Sequence, residues 1–466
     1  MTLTETQVEN ICALVADQIY AGRFEEARET LGELWPGLEK RPELKFRPEV
    51  NAELLLQCGT LTSWLGSAKQ IDAQEKAKNL ITSALEIFQS LKNQIKVAEA
   101  QYELGMCYWR VGSFDEARIV LEEAKQIATH QQRGKILIRQ TLVEISTGRY
   151  HQALTMLDNA RPSFESYPDA LKGRWHGQMA LVLRGLANTE FRTDYYDRAI
   201  VEYTAAIYHY EQAGHDRLKA NNLNNLAFLL SKTGHYREAH DALDQARIIF
   251  ERLKDSGNIA QVDETRARVL LAEERYEDAE QVINEVVKAL ASGGEQALLA
   301  DALTTKGTIL ARLGHAKRSI NAFNNAIEIG ERAGAECCAG LAAISLIEEH
   351  GKDLSIHEIF DAYRNADRLL AQTQDNEVIK RLRACARTFA RRLCERSPEF
   401  RLPDAVLEYE AHFIEQALKE EKGSVTRAAK KLGITHQGLA FILESRQQKL
   451  FGQRTPPTKR RRSIFK

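Results

Sequence analysis

The stretch Leu223-Asn-Asn-Leu-Ala-Phe-Leu-Leu230, followed shortly by Gly234-His-Tyr-Arg-Glu-Ala239, decides the fold. Leu223, Leu226, Ala227 and Leu230 recur at the three-and-four spacing of one helix face. Gly234 permits the positive φ of a tight turn. Tyr236, Ala239, Leu243 and Ala246 then restart the period on a second helix. The reading is a helical hairpin. Ala239 is small enough to let the two helices approach, and Tyr236 fills the space beside a neighbouring unit.

The pattern returns along the chain. It is found as Gly112-x-Phe114 with Ala117, Leu121 and Ala124, and as Gly148-x-Tyr150 with Ala153, Leu157 and Ala160. Further copies are Asp194-x-Tyr196 with Ala199, Tyr203 and Ala206, and Glu274-x-Tyr276 with Ala279, Ile283 and Val286. Weaker ones are Gly314-x-Ala316 with Ser319, Phe323 and Ala326, Gly22-x-Phe24 with Ala27, Leu31 and Leu34, and a degraded copy at Ala77, Ile81 and Ala84. The turns at 72, 112, 148, 194, 234, 274 and 314 lie about forty residues apart. One hairpin cannot bury its apolar face alone, so units of this period stack into a solenoid.

These residues resemble the tetratricopeptide repeat in its longer, forty-residue variety, as in kinesin light chain and related bacterial regulators. The resemblance covers roughly residues 10–335. It implies an all-α fold, with residues 1–335 a solenoid and 336–396 a helical continuation or cap. The Gly, aromatic and Ala positions build the scaffold. Binding on such a scaffold falls to the concave face, lined by the first helix of each pair. The candidates there are Arg184, Asn188, Asn221, Asn224, Phe228, Lys232, Glu264, Arg268 and Arg312. Each asparagine amide offers a donor and an acceptor to a peptide backbone; an asparagine-rich face is also what a solvated helix shows.

Arg396-Ser-Pro398-Glu-Phe-Arg-Leu-Pro403 interrupts the helical pattern and marks a linker at 397–403. A helix with Leu407, Tyr409, Phe413, Ile414, Ala417 and Leu418 follows and ends at Gly423. Ser424 stands at the N-cap of a short helix whose apolar face is Val425, Ala428, Ala429 and Leu432. Gly433 makes a turn, Ile434 is expected to plug the core beneath it, and Thr435 caps a second helix with Leu439, Ile442 and Leu443 inward. Phe441 is expected to pack inside, the alternative being a thymine-methyl contact.

Gly423-Ser424, Ala428-Ala429, Leu432-Gly433-Ile434 and Leu439 resemble the Fis-type helix-turn-helix, also found at the end of the nitrogen-regulation class of activators. Residues 404–450 would form this module. The resemblance implies double-stranded DNA as partner, with Thr435, His436, Gln437 and Ala440 facing base edges in the major groove and Arg427, Lys430, Lys431, Arg446 and Lys449 holding phosphates. It also implies a homodimer. The family's arginine after the recognition-helix cap is replaced by His436, and Gly438 lowers that helix's propensity.

Charge is segregated. From Ser424 onward eleven basic residues face one acid, Glu444, a net of +10, which leaves residues 1–423 at −11 within the overall −1. Lys459, Arg460, Arg461 and Arg462 concentrate this charge in a 451–466 tail whose Pro456-Pro457 forbids a helix. Such an arm binds nucleic acid by counterion release.

Other classes find little support. The seven cysteines are scattered without a C-x-x-C, which indicates neither a disulfide framework nor a metal site. No Walker loop, no nucleophile elbow and no H-E-x-x-H occurs, so neither an enzyme nor a cofactor is expected. The first residues lack the pattern of a signal peptide and no eighteen-residue apolar run exists, which reads as a cytoplasmic chain without membrane contact. The expectation is a DNA-binding transcriptional regulator whose solenoid binds a controlling peptide or protein. The alternative is a non-catalytic interaction scaffold whose terminal helices dock a partner.

Overall fold

A computed structural model describes residues 3–453 except 36, 39, 67–70, 191, 292–294, 372, 374 and 395–401. The linker's 397–401 and the basic tail's Lys459, Arg460, Arg461 and Arg462 lie outside the described residues. The chain divides into two compact units, residues 1–390 and 391–466. Every regular element among the described residues is helical.

In the first unit, antiparallel pairs follow one another. They are α1 (Glu5–Tyr20) with α2 (Phe24–Leu31), α3 (Pro48–Leu65) with α4 (Ile71–Ser90), and α5 (Gln94–Arg110) with α6 (Phe114–Ile127). Next come α7 (His130–Ser146) with α8 (Tyr150–Phe164), α9 (Asp169–Glu190) with α10 (Asp194–Gln212), and α11 (Asp216–Lys232) with α12 (Tyr236–Arg252). The series ends with α13 (Ser256–Ala272) and α14 (Tyr276–Ala291), α15 (Gln296–Arg312) and α16 (Ala316–Arg332), α17 (Glu336–His350) and α18 (Ile356–Leu369), and a last helix, α19 (Asn376–Cys394). Each helix packs on the next, and first helices also meet first helices of the following pair, as α5 meets α7 and α13 meets α15.

The repeat residues do what their spacing predicts. Ala27, Ala77, Ala117, Ala153, Ala199, Ala239 and Ala279 are all fully buried. The aromatics bridge pairs: Tyr236 Oη donates to the Ala272 carbonyl of the next hairpin at 3.0 Å, worth about 1 kcal/mol. First helices answer with glycines that carry no motif. A Cβ at Gly105 would stand 2.7 Å from Leu121, and one at Gly307 would stand 2.8 Å from the Phe323 ring.

The turn glycines Gly112, Gly234 and Gly314 have φ near 80°. Glu274 occupies the same turn position with φ 62°, where a side chain costs about 1–2 kcal/mol. Glu274→Gly is therefore expected to raise stability by about 1 kcal/mol, part of the relief being offset by unfolded-chain entropy. Urea unfolding of the full chain reads this, with Glu277→Gly in the following helix as a destabilising control.

The hairpins wind into a superhelix that meets itself after five pairs. His215 Nε2 donates to the Tyr20 carbonyl at 2.8 Å and Arg217 Nε to the Gly22 carbonyl at 2.7 Å, contacts spanning 195 positions. Arg217 also pairs with Asp255 and lies over the Phe24 ring. A second closure joins α19 to α9, where Lys380 Nζ donates to the Thr189 carbonyl at 3.2 Å.

The second unit holds α20 (Leu402–Glu420), α21 (Val425–Lys431) and α22 (His436–Ser445), then a 3-10 segment, Gln448–Gln453. Pro403 sits in the first turn of α20, where its missing donor costs nothing. Ile414, Ala417, Leu418, Ala428, Ala429, Leu439, Leu443 and Leu450 form the core.

Candidate nucleic-acid interface and solenoid groove

In the second unit, Gly423 (φ 77°) and Gly433 (φ 69°) turn the chain on either side of α21. Thr435 caps α22 as its sequence position implies, its Oγ1 accepting from Gly438 N at 3.0 Å. Ser424 stands at the N-cap of α21 but makes no side-chain cap bond. Two apolar expectations fail. Phe441 is 71% exposed and Ile434 is 39% exposed. From α22 the core takes Leu439 and Leu443, with Ile442 packed at its edge, and side chains on the flanks of that narrow face stay at the surface.

Thr435, His436 and Gln437 are exposed along the start of α22, while Ala440 is half-buried. The basic residues divide into two groups. Lys430 and Lys449 are exposed and make no ion pair among the described residues. Arg427 pairs with Glu421 at 3.0 Å, Lys431 with Glu420 at 2.5 Å, and Arg446 with Glu410 of α20. The Glu420 hydrogen bond holds the Lys431 ammonium above its ordinary value. Exposed pairs of this kind contribute less than about 1 kcal/mol, so a phosphate can replace the carboxylate. Gln447, which the sequence reading overlooked, is buried and donates to the Leu407 carbonyl at 2.6 Å, pinning the end of α22 to α20. Its polar type gave no signal of an inward position. Along α20, Val406, Tyr409 and Phe413 form an exposed apolar row.

In the first unit, the sequence-predicted groove residues fall mostly together. Arg184, Asn188, Asn224, Phe228, Glu264 and Arg268 line a cavity of about 360 Å³. Phe228, Lys232 and Arg268 also line an adjoining one of about 520 Å³. Asn221 and Arg312 line neither, and Arg312 pairs with Glu349 at 2.9 Å. Arg184 stands over the Phe228 ring, Glu264 receives Arg268 Nε at 2.5 Å, and the buried Asn224 Oδ1 has no hydrogen-bond partner.

A larger cavity of about 830 Å³ lies in the first superhelical turn, walled by α1, α3, α5, α7 and α9. The sequence reading missed it. Tyr20, Trp64, Lys135, Arg139 and Arg174 line it. They belong to first helices, whose inward residues the repeat motif does not specify.

Chemistry elsewhere is structural in form. Ser319 Oγ lies 2.7 Å from His350 Nε2, with Asp353 near the other ring nitrogen. Yet Ser319 is fully buried and donates to the Gly307 carbonyl at 2.6 Å, so no substrate carbonyl can reach it. Burial pushes the thiols of Cys12 and Cys385 up to about 12 and Cys107 to about 11, which leaves them protonated and inert. No group of His, Cys, Asp and Glu among the described residues is arranged to hold a metal, and no described helix is long and apolar enough to cross a membrane.

Comparison with known families matches residues 406–440 to the bacterial regulatory protein, Fis family, and residues 98–130 to the tetratricopeptide repeat. The chain thus carries a tetratricopeptide-type solenoid and a C-terminal Fis-family helix-turn-helix, which are regulatory and interaction modules. No curated protein sequence matches it. Among solved structures it is similar to a Rap protein complexed with competence and sporulation factor, at 15% identity and TM-score 0.51, over 83% of this chain and 99% of that one. It is also similar to the apo form of RapI at 14% and 0.48, over 79% and 99%. Aspartyl phosphate phosphatase F from Bacillus subtilis matches at 11% and 0.47, over 81% and 97%.

Proposed function

We propose that this chain is a sequence-specific DNA-binding transcriptional regulator, acting in the cytoplasm without catalysis, whose solenoid binds a peptide or protein partner that controls it. The observation that carries the DNA reading is the presentation of α22. Its capped N-terminus exposes Thr435, His436 and Gln437, and Lys430 and Lys449 of the same unit are exposed without an ion pair among the described residues. That is the arrangement by which a helix enters the major groove with phosphate contacts on its flanks. The solvated row Val406, Tyr409 and Phe413 suits a second copy of the module, as two half-sites require. In the solenoid, the Asn224 acceptor, unsatisfied among the described residues, lines the same cavity as Arg184 and Arg268 and suits a peptide amide.

The two kinds of contact have separable readouts. Lys430→Ala and Lys449→Ala are expected to weaken binding to every duplex alike and to lower the salt slope by about one each. Gln437→Ala is expected to shift base preference, costing about 1–3 kcal/mol at one position of the selected site. Removing 451–466 should act like the lysine changes. Duplex selection from sheared genomic DNA, repeated at two salt concentrations, measures all of these. A uniform loss for Gln437→Ala would remove it from base readout.

A further inference from the structure

α22 turns an aromatic ring away from the unit it belongs to. Phe441 is 71% exposed, more than any other large apolar side chain among the described residues. Its ring pairs with no other ring and no cation among them. At about 100° per residue, Phe441 stands about 160° around the helix from both Leu439 and Leu443, the two residues that α22 buries. It stands only about 40° from Gln437, one turn earlier. The side that carries Phe441 is therefore the side that carries Gln437, opposite the core. A phenyl ring left in water forgoes one of the largest burial gains open to a side chain, so a surface that dries it stabilises the complex.

The neighbours of the ring decide which surface that is. Glu444 lies about 60° from Phe441 on the same exposed side. A carboxylate beside a phenyl ring disfavours the phosphate backbone, which suits the exposed Lys430 and Lys449 instead. α22 contains no Lys or Arg, which removes the bidentate cation contact to guanine. What remains is the Gln437 amide, matched to the N6 and N7 edge of adenine, and the ring. In the major groove the apolar group that a base pair presents is the 5-methyl of thymine. We propose that Phe441 is a specificity-determining residue whose ring packs on a thymine methyl in the major groove, beside the base edges that Gln437 reads. Four residues at about 1.5 Å each separate the two side chains by about 6 Å along the helix. Base pairs rise by about 3.4 Å, so the thymine lies about two pairs from the Gln437 contact. The inference rests on the module's reading duplex DNA, and it names the chemical group that the outer half of α22 recognises.

The test uses full-length protein and the duplex selected from sheared genomic DNA, remade with deoxyuridine in place of each thymine in turn. The exchange removes the 5-methyl and leaves the base pair and O4 as they were. Fluorescence anisotropy at fixed salt reads the affinity. Deoxyuridine at one position of a half-site should weaken binding by about fourfold, the transfer value of one buried methyl group. That position should lie about two base pairs from the one at which Gln437→Ala relaxes preference. Phe441→Ala should weaken binding to the thymine duplex by about tenfold and erase the difference between thymine and deoxyuridine there, with an unchanged salt slope. Phe441→Leu should keep part of the difference. Circular dichroism and thermal midpoints should match the native chain, since the ring lies outside the core, and Phe441→Leu decides the matter if the alanine variant does not fold. Duplex binding that no deoxyuridine alters, or a methyl effect that persists in Phe441→Ala, would overturn the proposal and leave the DNA reading standing. So would a shift in the sedimentation of Phe441→Ala with the methyl effect intact, which assigns the ring to a contact between copies. A native chain that binds no duplex even at low salt overturns both this contact and the DNA reading.

Discussion

Gly307→Val is expected to destabilise the solenoid by about 3 kcal/mol, at the upper end of what overpacking a filled core costs. Gly307 lies on α15 where α16 crosses it, and an added Cβ would stand 2.8 Å from both Cδ1 and Cε1 of Phe323, a fully buried ring. The ring cannot retreat, because Ala326 and Ile327 beside it belong to the same buried cluster. Valine adds two methyls to that collision. Helix propensity works the other way, by about 0.5 kcal/mol in valine's favour, and is too small to compensate. Thermal unfolding of the variant, and of Gly307→Val with Phe323→Leu, measures the coupling. The second change should recover part of the loss. An unchanged midpoint for Gly307→Val would mean that α15 and α16 do not approach as described.

Stability is expected to fall by about 3 kcal/mol between pH 6.5 and pH 4 through one residue, His215. Burial, reinforced by the charge of Arg174, brings its pKa from 6.5 down to about 4. The ring is buried, donates from Nε2 to the Tyr20 carbonyl, and accepts at Nδ1 from Leu218 N. A proton on Nδ1 would face that amide hydrogen. Above pH 6.5 folded and unfolded chains are both neutral here and the contribution is complete. As pH falls, the unfolded chain takes up a proton that the folded chain refuses, and the stability drains away toward pH 4. The strain falls on the closure between the first hairpin and α11. His215→Gln keeps a donor for Tyr20 and removes the titration. Urea midpoints at pH 7, 6, 5 and 4.5 should therefore diverge between the two proteins, the native chain losing more. Parallel curves would refute the assignment.

What the residues disclosed follows from which forces are local. The hairpins were legible because each depends on a turn residue, an aromatic and a small alanine within one short window, as at Gly234, Tyr236 and Ala239. Glu274 could be recognised as a turn by position although it lacks the glycine. The first-turn cavity could not be read, because its wall is assembled from the inward residues of five first helices between Ala16 and Ala213, which the repeat motif does not specify. The close helix contacts at Gly105 and Gly307 were hidden for a related reason: a glycine inside a helix shows its purpose only beside its partner. In the terminal module, spacing identified α21, α22 and the Thr435 cap, but it overstated the core. Periodicity marks Phe441 and Ile434 as apolar without saying how wide a face so small a domain can cover. Seven of the nine groove candidates line cavities of the second turn, since an inward first helix presents every third or fourth residue.

The central claim is that the terminal module, and not the solenoid, recognises duplex DNA. Its most direct measurement is the affinity of the full chain and of residues 1–396 for a duplex selected from genomic DNA, each titrated over salt. The full chain should bind with log affinity falling linearly in log salt, several phosphates' worth in slope, and distinguish the selected duplex from a scrambled one. Residues 1–396, acidic overall, should show neither. Equal binding by the shortened chain, or no duplex bound by the full chain even at low salt, would contradict it.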